Sequence, residues 1–227
     1  MTTACPHIHH RWQQVGLIVL LTLLLGGTAW AKRSPDEILV TAADEMIAAI
    51  QEDQDAIRDN PAQLNRLISD ILLPHVDMIS ASRLVLGKHW RGATRAQKKQ
   101  FILEFRTLLV RFYSAALTDY LLDHEVKRDM IHFQPLRAES DATSVIVRSE
   151  VIPPSGQAVP VHYHMHLRRG RWQVYDVSVE GISLITTYRS SFASEIRQHG
   201  IEGLIASLAK RNRDLLESAR PVSTAAQ

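Results

Sequence analysis

The residues best suited to chemistry lie in one short run, His162-Tyr163-His164-Met165-His166. On a β-strand alternate side chains share a face, so the three histidines are expected to point the same way. A His-x-His pair can grip a metal ion, because residues i and i+2 lie about 7 Å apart along a strand. His162 and His166 would be about 13 Å apart, too far to share one ion. A catalytic zinc needs a third protein ligand. The sequence identifies none, so no metal site is assigned. The plainer alternative is a polar sheet face, solvated or covered by a helix, opposite Val161, Tyr163, Met165 and Leu167.

Asp176 and Glu180 follow Trp172 on the next strand-like stretch. Paired carboxylates beside a histidine can do acid–base chemistry. However, the chain carries no G-x-S-x-G, zincin, P-loop or dinucleotide glycine pattern. Carboxylates on strands then read first as structural hydrogen-bond partners. An exported α+β enzyme using Asp176 and a histidine stays as the alternative from a different class. Two basic clusters complete the inventory. Lys88, His89, Arg91, Arg95, Lys98 and Lys99 span a loop and the start of a helix, and Arg168, Arg169 and Arg171 sit at a hairpin tip. Such clusters are either solvated surface or docking points for anionic headgroups or an acidic protein partner.

These residues must be positioned by a chain of 227 residues with 45% hydrophobic and 22% charged residues. Those are ordinary globular values. A net charge of +2 gives no bulk drive towards nucleic acid, and 6% aromatics argues against a base-stacking platform. The single cysteine, Cys5, excludes an internal disulfide and any cysteine-rich zinc site.

Residues 1–31 read as a cleavable export signal. Arg11 precedes the apolar run Val15 to Leu25, Gly26-Gly27-Thr28 breaks it, and Ala29-Trp30-Ala31 supplies small residues for cleavage after Ala31. The run is shorter than the ~20 residues of a spanning helix, although the uncharged stretch from Trp12 to Ala31 just reaches that length and keeps a membrane anchor as the alternative. The product from Lys32 on is expected to be an exported protein held together by its core, without nucleic-acid partners. One domain is expected over 32–217, with a disordered tail at 218–227.

Ser34-Pro35-Asp36-Glu37 is a capping box opening a first helix, and Asn60-Pro61 starts a second that Pro74 interrupts. Val76, Ile79 and Leu84 suggest a short third helix. Thr94-Arg95-Ala96-Gln97, another capping box, opens the longest helix, to about Leu122. The hydrophobic period then changes from 3.6 to 2. Ile131–Leu136, Thr143–Ile152, Ala158–Leu167 and Arg171–Val179 read as four antiparallel strands. Helices return over 186–199 and 201–216, separated by Gly200.

The resulting α+β domain has a helical layer packed on a twisted four-stranded sheet. Odd positions of the strands carry the apolar face: Val145, Val147, Val161, Tyr163, Met165, Leu167, Tyr175, Val177 and Val179. Phe101, Phe105, Leu108 and Phe112 of the long helix face it. A curved sheet under helices can enclose a solid core or a ligand cavity, and the residue pattern leaves both open, with the solid core the simpler.

The chain resembles the MlaC (toluene-tolerance) family over nearly all of its length after the signal. The resemblance is carried by Leu72-Leu73-Pro74-His75-Val76, Leu84-Val85-Leu86-Gly87-Lys88-His89-Trp90, Ala93-Thr94-Arg95-Ala96-Gln97 and Phe101 to Arg106. It continues through Trp172 to Val177, Glu180 to Arg189 and Gly200 to Ile205. At His75 the family usually has an aromatic residue, and the histidine run is no family feature. The resemblance implies an apolar lipid pocket between helices and sheet. The expected wall is Leu72, Val76, Phe101, Phe105, Leu108, Phe112, Val145, Val147, Tyr163, Met165, Tyr175 and Val177. It implies a periplasmic location, no cofactor, phospholipid as cargo, and a shuttle across the periplasm that maintains outer-membrane lipid asymmetry. The implied partners are an outer-membrane lipoprotein complex and the MCE-domain subunit of an inner-membrane ABC transporter. Lys88, Arg91, Arg95, Lys98 and Lys99 are the candidate docking residues. A hopanoid or other polycyclic lipid remains an alternative cargo.

Overall fold

The computed structural model describes residues 33–60, 62–139 and 141–218. The expected export signal, its cleavage site and the tail beyond Ser218 lie outside the described residues. Among the described residues, no helix is long and apolar enough to cross a membrane.

Helix α1 (Pro35–Glu52) starts at the anticipated capping box. The Glu37 N–H donates to Ser34 Oγ at 3.4 Å, and the Ser34 N–H donates back to Glu37 Oε2 at 2.9 Å. Its buried stripe is Leu39, Ala42, Met46, Ile47 and Ile50. Two short helices, α2 (Gln54–Asp59) and α3 (Ala62–Leu67), follow. The second helix anticipated from the sequence therefore starts as expected but changes pitch. It widens into a π turn at Ile68–Leu72 and tightens into a 3-10 turn at Leu73–His75. Pro74 accounts for the change. It has no N–H to donate four residues back, and its ring crowds the carbonyl there.

Asp77 caps α4 (Met78–Leu86), accepting the Ser80 N–H at 2.9 Å. After the short α5 (His89–Gly92), the Thr94 capping box opens α6 (Arg95–Asp123), the anticipated long helix.

The strands are β1 (Ile131–Phe133), β2 (Ser144–Val151), β3 (Val159–Arg168), β4 (Arg171–Val179) and β5 (Ile182–Ser183). They form one antiparallel sheet in the order β1-β2-β3-β4-β5. The sheet thus has five strands where four are expected. β5 is only two residues long, too short for a period of two to show. It is turned back by Glu180 and Gly181, both at positive φ (51° and 80°). Arg169 and Gly170 (49° and 79°) turn the β3–β4 hairpin in the same way, and such mirror-image turns match the twist of the strands they join.

Strict odd-position alternation fails in β4. Met165 pairs with Val174 but His164 pairs with Asp176, which leaves Tyr175 as the extra residue of a bulge. Before the bulge it is Trp172 and Val174 that share a face with Met165; after it, Val177 and Val179 share that face with Tyr163 and Val161. Tyr175 instead places its ring against His166, at 4.9 Å between centroids, and near His164 at 6.2 Å.

The last helical segment, α7 (Leu184–Ser218), bends at Gly200, whose φ of 69° breaks the helix where the sequence predicts a stop. α6 and α7 pack around Phe101, Phe105, Phe192, Leu204 and Leu208, all at most 2% exposed. Two smaller clusters flank this one. Val145, Val147, Met165 and Val174 pack on Leu39 of α1, and Met46, Ile50, Ile57 and Leu64 pack with Leu121 near the end of α6.

Candidate functional site

Between these clusters the apolar side chains do not close up, and a cavity of about 280 Å³ remains. One wall is the irregular stretch around Pro74, with Ile68, Leu72, Leu73 and Val76, continued by Met78 and Ala81 of α4. Phe105, Leu109, Val110 and Tyr113 of α6 form a second wall. Val174 to Val177 of β4, with Leu184, Ile185 and Tyr188 at the start of α7, form the third. No Lys, Arg or His lines it; Asp176 is its one ionisable carboxyl.

The local backbone explains why the space is left open. Val76 forms a parallel bridge with Val174, and the Asp77 N–H donates to the Val174 carbonyl at 2.8 Å. The segment before α4 is thereby fixed to the upper half of β4. The bulge at Tyr175 turns the lower half of β4 out of phase. Regular helices cannot pack flush on that edge.

A polar clamp stands beside the cavity. The buried Asp77 carboxylate accepts from Ser80 Oγ at 2.7 Å, Arg168 Nη1 at 3.0 Å and His166 Nε2 at 3.0 Å. Arg168 also donates to Ser80 Oγ at 2.8 Å. Burial alone would raise this carboxyl's pKa. The hydrogen bonds from the Ser80 backbone and side chain, Arg168 and His166 outweigh it and hold the value down at about 2. The histidine run therefore supplies one tie between sheet and helix. Among the described residues no group of three or more His, Cys, Asp or Glu is placed to hold a metal ion.

Asp176 is likewise engaged. Its Oδ2 accepts from Ser183 Oγ at 2.6 Å and its Oδ1 from the Ile185 N–H at 3.1 Å, which satisfies donors at the start of α7. This is the structural role the sequence allowed for a strand carboxylate.

Of the expected wall residues, Leu72, Val76, Phe105, Tyr175 and Val177 line the cavity together. Phe101 and Leu108 lie in the helix cluster, while Val145, Val147, Tyr163 and Met165 pack in the cluster under α1. Burial raises the Tyr163 phenol's pKa, against a hydrogen bond with Ser149. Phe112 is 50% exposed, its ring edge-on to Tyr113. Sequence reasoning missed Ile68, Tyr113, Ile185 and Tyr188. The last two lie in the stretch Glu180 to Arg189 that helps carry the family resemblance, and that stretch is the signal that points to them. Lys88, Arg91, Arg95 and Lys99 are exposed, and Lys98 lies over the Trp90 ring at 5.4 Å.

Residues 40–210 match the MlaC protein family model. The chain is 27% identical over 202 residues to the intermembrane phospholipid transport system binding protein MlaC of Haemophilus influenzae, covering 87% of this chain and 91% of that protein. It is also 27% identical over 202 residues to the toluene tolerance protein ttg2D of Pseudomonas putida, covering 86% and 90%. In structure it is similar to the phospholipid-binding protein of Ralstonia solanacearum, solved in complex with a phospholipid. That match has a TM-score of 0.72 and 30% identity, and covers 81% of this chain and 99% of that one.

Proposed function

The chain belongs to the MlaC family, and on that premise we propose that it is a phospholipid carrier whose cavity takes acyl chains. The observation that carries this reading is the cavity itself, lined mainly by apolar side chains from the turns around Pro74, α4, α6, β4 and α7 and free of cationic groups. Leu72, Val76, Phe105, Tyr175 and Val177 are the residues proposed to touch the chains. The solved relative from Ralstonia, with its bound phospholipid, supports the same reading.

Acyl chains need such a container. Burial is worth about 0.8 kcal/mol per methylene, so roughly 30 methylenes hold a free lipid in its membrane by over ~20 kcal/mol. A carrier must offer equivalent apolar surface and then release the lipid. At about 280 Å³ the cavity lies just below the roughly 300 to 1,000 Å³ of ligand pockets. Seating two chains therefore requires the walls to part, and the π and 3-10 turns around Pro74 are where the wall is least regular. The chain carries no nucleotide-binding motif, so energy for directed transfer must come from a partner. The proposed setting is the periplasm. The proposed partners are an outer-membrane lipoprotein complex and an MCE-domain subunit of an ABC transporter, with the basic residues Lys88, Arg91, Arg95, Lys98 and Lys99 available for docking.

Native mass spectrometry of the purified protein tests the proposal. A co-purifying diacyl phospholipid, restored after delipidation by adding phosphatidylethanolamine, is the expected result. Spectra free of lipid from repeated preparations, with no uptake on addition, would overturn it.

A further inference from the structure

The cavity wall carries few polar groups: the phenols of Tyr113, Tyr175 and Tyr188 and the Asp176 carboxyl. Tyr113 of α6 and Tyr188 of α7 both line the cavity, and each phenol lies close enough to influence the other's titration. Around them the wall is apolar: Phe105, Val110 and Ile185 are at most 8% exposed, whereas Tyr113 is 39% exposed. The phenol pair thus stands where the buried wall meets solvent. Burial, and then the neighbouring Tyr188, push the Tyr113 phenol up to about 12, and burial raises Tyr188 too, so both stay protonated donors. Each phenol carries one O–H that can donate.

The charges of the cavity restrict what it can donate to. No cation lines the wall, and the one ionisable carboxyl, Asp176, is acidic. An anionic phosphate gains nothing by entering, whereas a neutral carbonyl oxygen does. We infer that the Tyr113–Tyr188 pair is a binding site for an acyl-ester carbonyl of the lipid. It sets how deep the chains run and leaves the phosphate outside the wall. This rests on the carrier reading above and adds to it a linkage preference: the protein distinguishes ester-linked from ether-linked chains.

The other phenol of the cavity, Tyr175, is a poorer candidate, because its ring lies against His166 and His164. Asp176 already accepts from Ser183 and Ile185 and offers no donor.

The test is a competition for the delipidated full chain between dipalmitoyl phosphatidylcholine and its dihexadecyl ether analogue, read by native mass spectrometry. The parent should favour the ester by about fivefold, the ratio that one net hydrogen bond of about 1 kcal/mol gives. The double variant Tyr113→Phe/Tyr188→Phe keeps both rings and strands no hydrogen-bond partner. It should bind both lipids with a ratio near one. Equal binding by the parent, or a preference undiminished in the double variant, would overturn the inference while leaving the carrier reading intact. A parent that takes up neither lipid would overturn both.

Discussion

The α6–α7 contact and the wall around Pro74 are both built from apolar residues, yet one closes and the other does not. In the first, α6 and α7 present residues at helical spacing on both sides of the break at Gly200. Phe101, Phe105, Tyr188 and Phe192 interlock with ring centroids 5.2 to 6.0 Å apart. Asn212 Nδ2 bonds the Glu104 carbonyl at 3.0 Å and its carboxylate at 2.8 Å, and Arg111 donates to the Asn212 carbonyl. In the second, three departures from regular backbone meet: the π turn, the 3-10 turn and the β4 bulge. Each turns a side chain away from where strict periodicity would put it. The cavity lies where these departures meet, so this chain makes space through backbone irregularity with apolar residues kept throughout.

The largest expected effect is on the closed side. Phe101→Ala removes a fully buried ring from the aromatic cluster. It should cost about 3–5 kcal/mol of unfolding free energy in a denaturant titration. Lipid uptake per folded molecule should be unchanged, because Phe101 does not line the cavity. A loss below about 1 kcal/mol would mean that this region is not close-packed.

The open side should respond to acid. The Asp77 carboxyl has a folded pKa of about 2 against 3.8 for the ordinary group. The depressed value means its stabilisation, roughly 2 kcal/mol, is complete above about pH 4 and vanishes as the pH falls through about 2. Parent and Asp77→Asn proteins compared by denaturant titration should differ by a margin that shrinks over that window. A margin that stays constant down to pH 2 would remove the clamp from the account.

The smallest effect concerns the surface. Reversing Arg91, Arg95, Lys98 and Lys99 should alter stability by no more than about 0.5 kcal/mol. If these residues dock on acidic partners or headgroups, transfer between donor and acceptor assemblies should slow at low salt and lose its salt dependence. Unchanged transfer at low salt would return them to ordinary solvated surface.

The regular half of the molecule was readable because regular elements announce themselves. Ser34 and Thr94 are capping boxes in sequence and in structure, and the change of period after Leu122 marks the passage from helices to sheet. Pro74 was readable as an interruption. Its outcome, a π turn followed by a 3-10 turn, depends on what the helix packs against. The β4 bulge leaves a trace in the sequence, a slip of phase from Trp172 and Val174 to Val177 and Val179 across Tyr175-Asp176, which the assumption of a strict odd-position face passes over. The cavity inherits that limit. Leu72, Val76 and Phe105 were legible as wall from their apolar positions and the family resemblance. Val145, Val147 and Met165 belong to the same apolar face but are taken up by Leu39 of α1.

The central claim is that the space beside Pro74, rather than the apolar sheet face as a whole, holds the lipid. Val177→Trp places an indole in that space. The direct measurement is the number of phosphatidylethanolamine molecules bound per delipidated Val177→Trp chain, by native mass spectrometry, alongside a thermal melt. The account predicts lost uptake with a cooperative melt retained, overpacking costing about 1–3 kcal/mol. One lipid bound per chain, as in the parent, would contradict it.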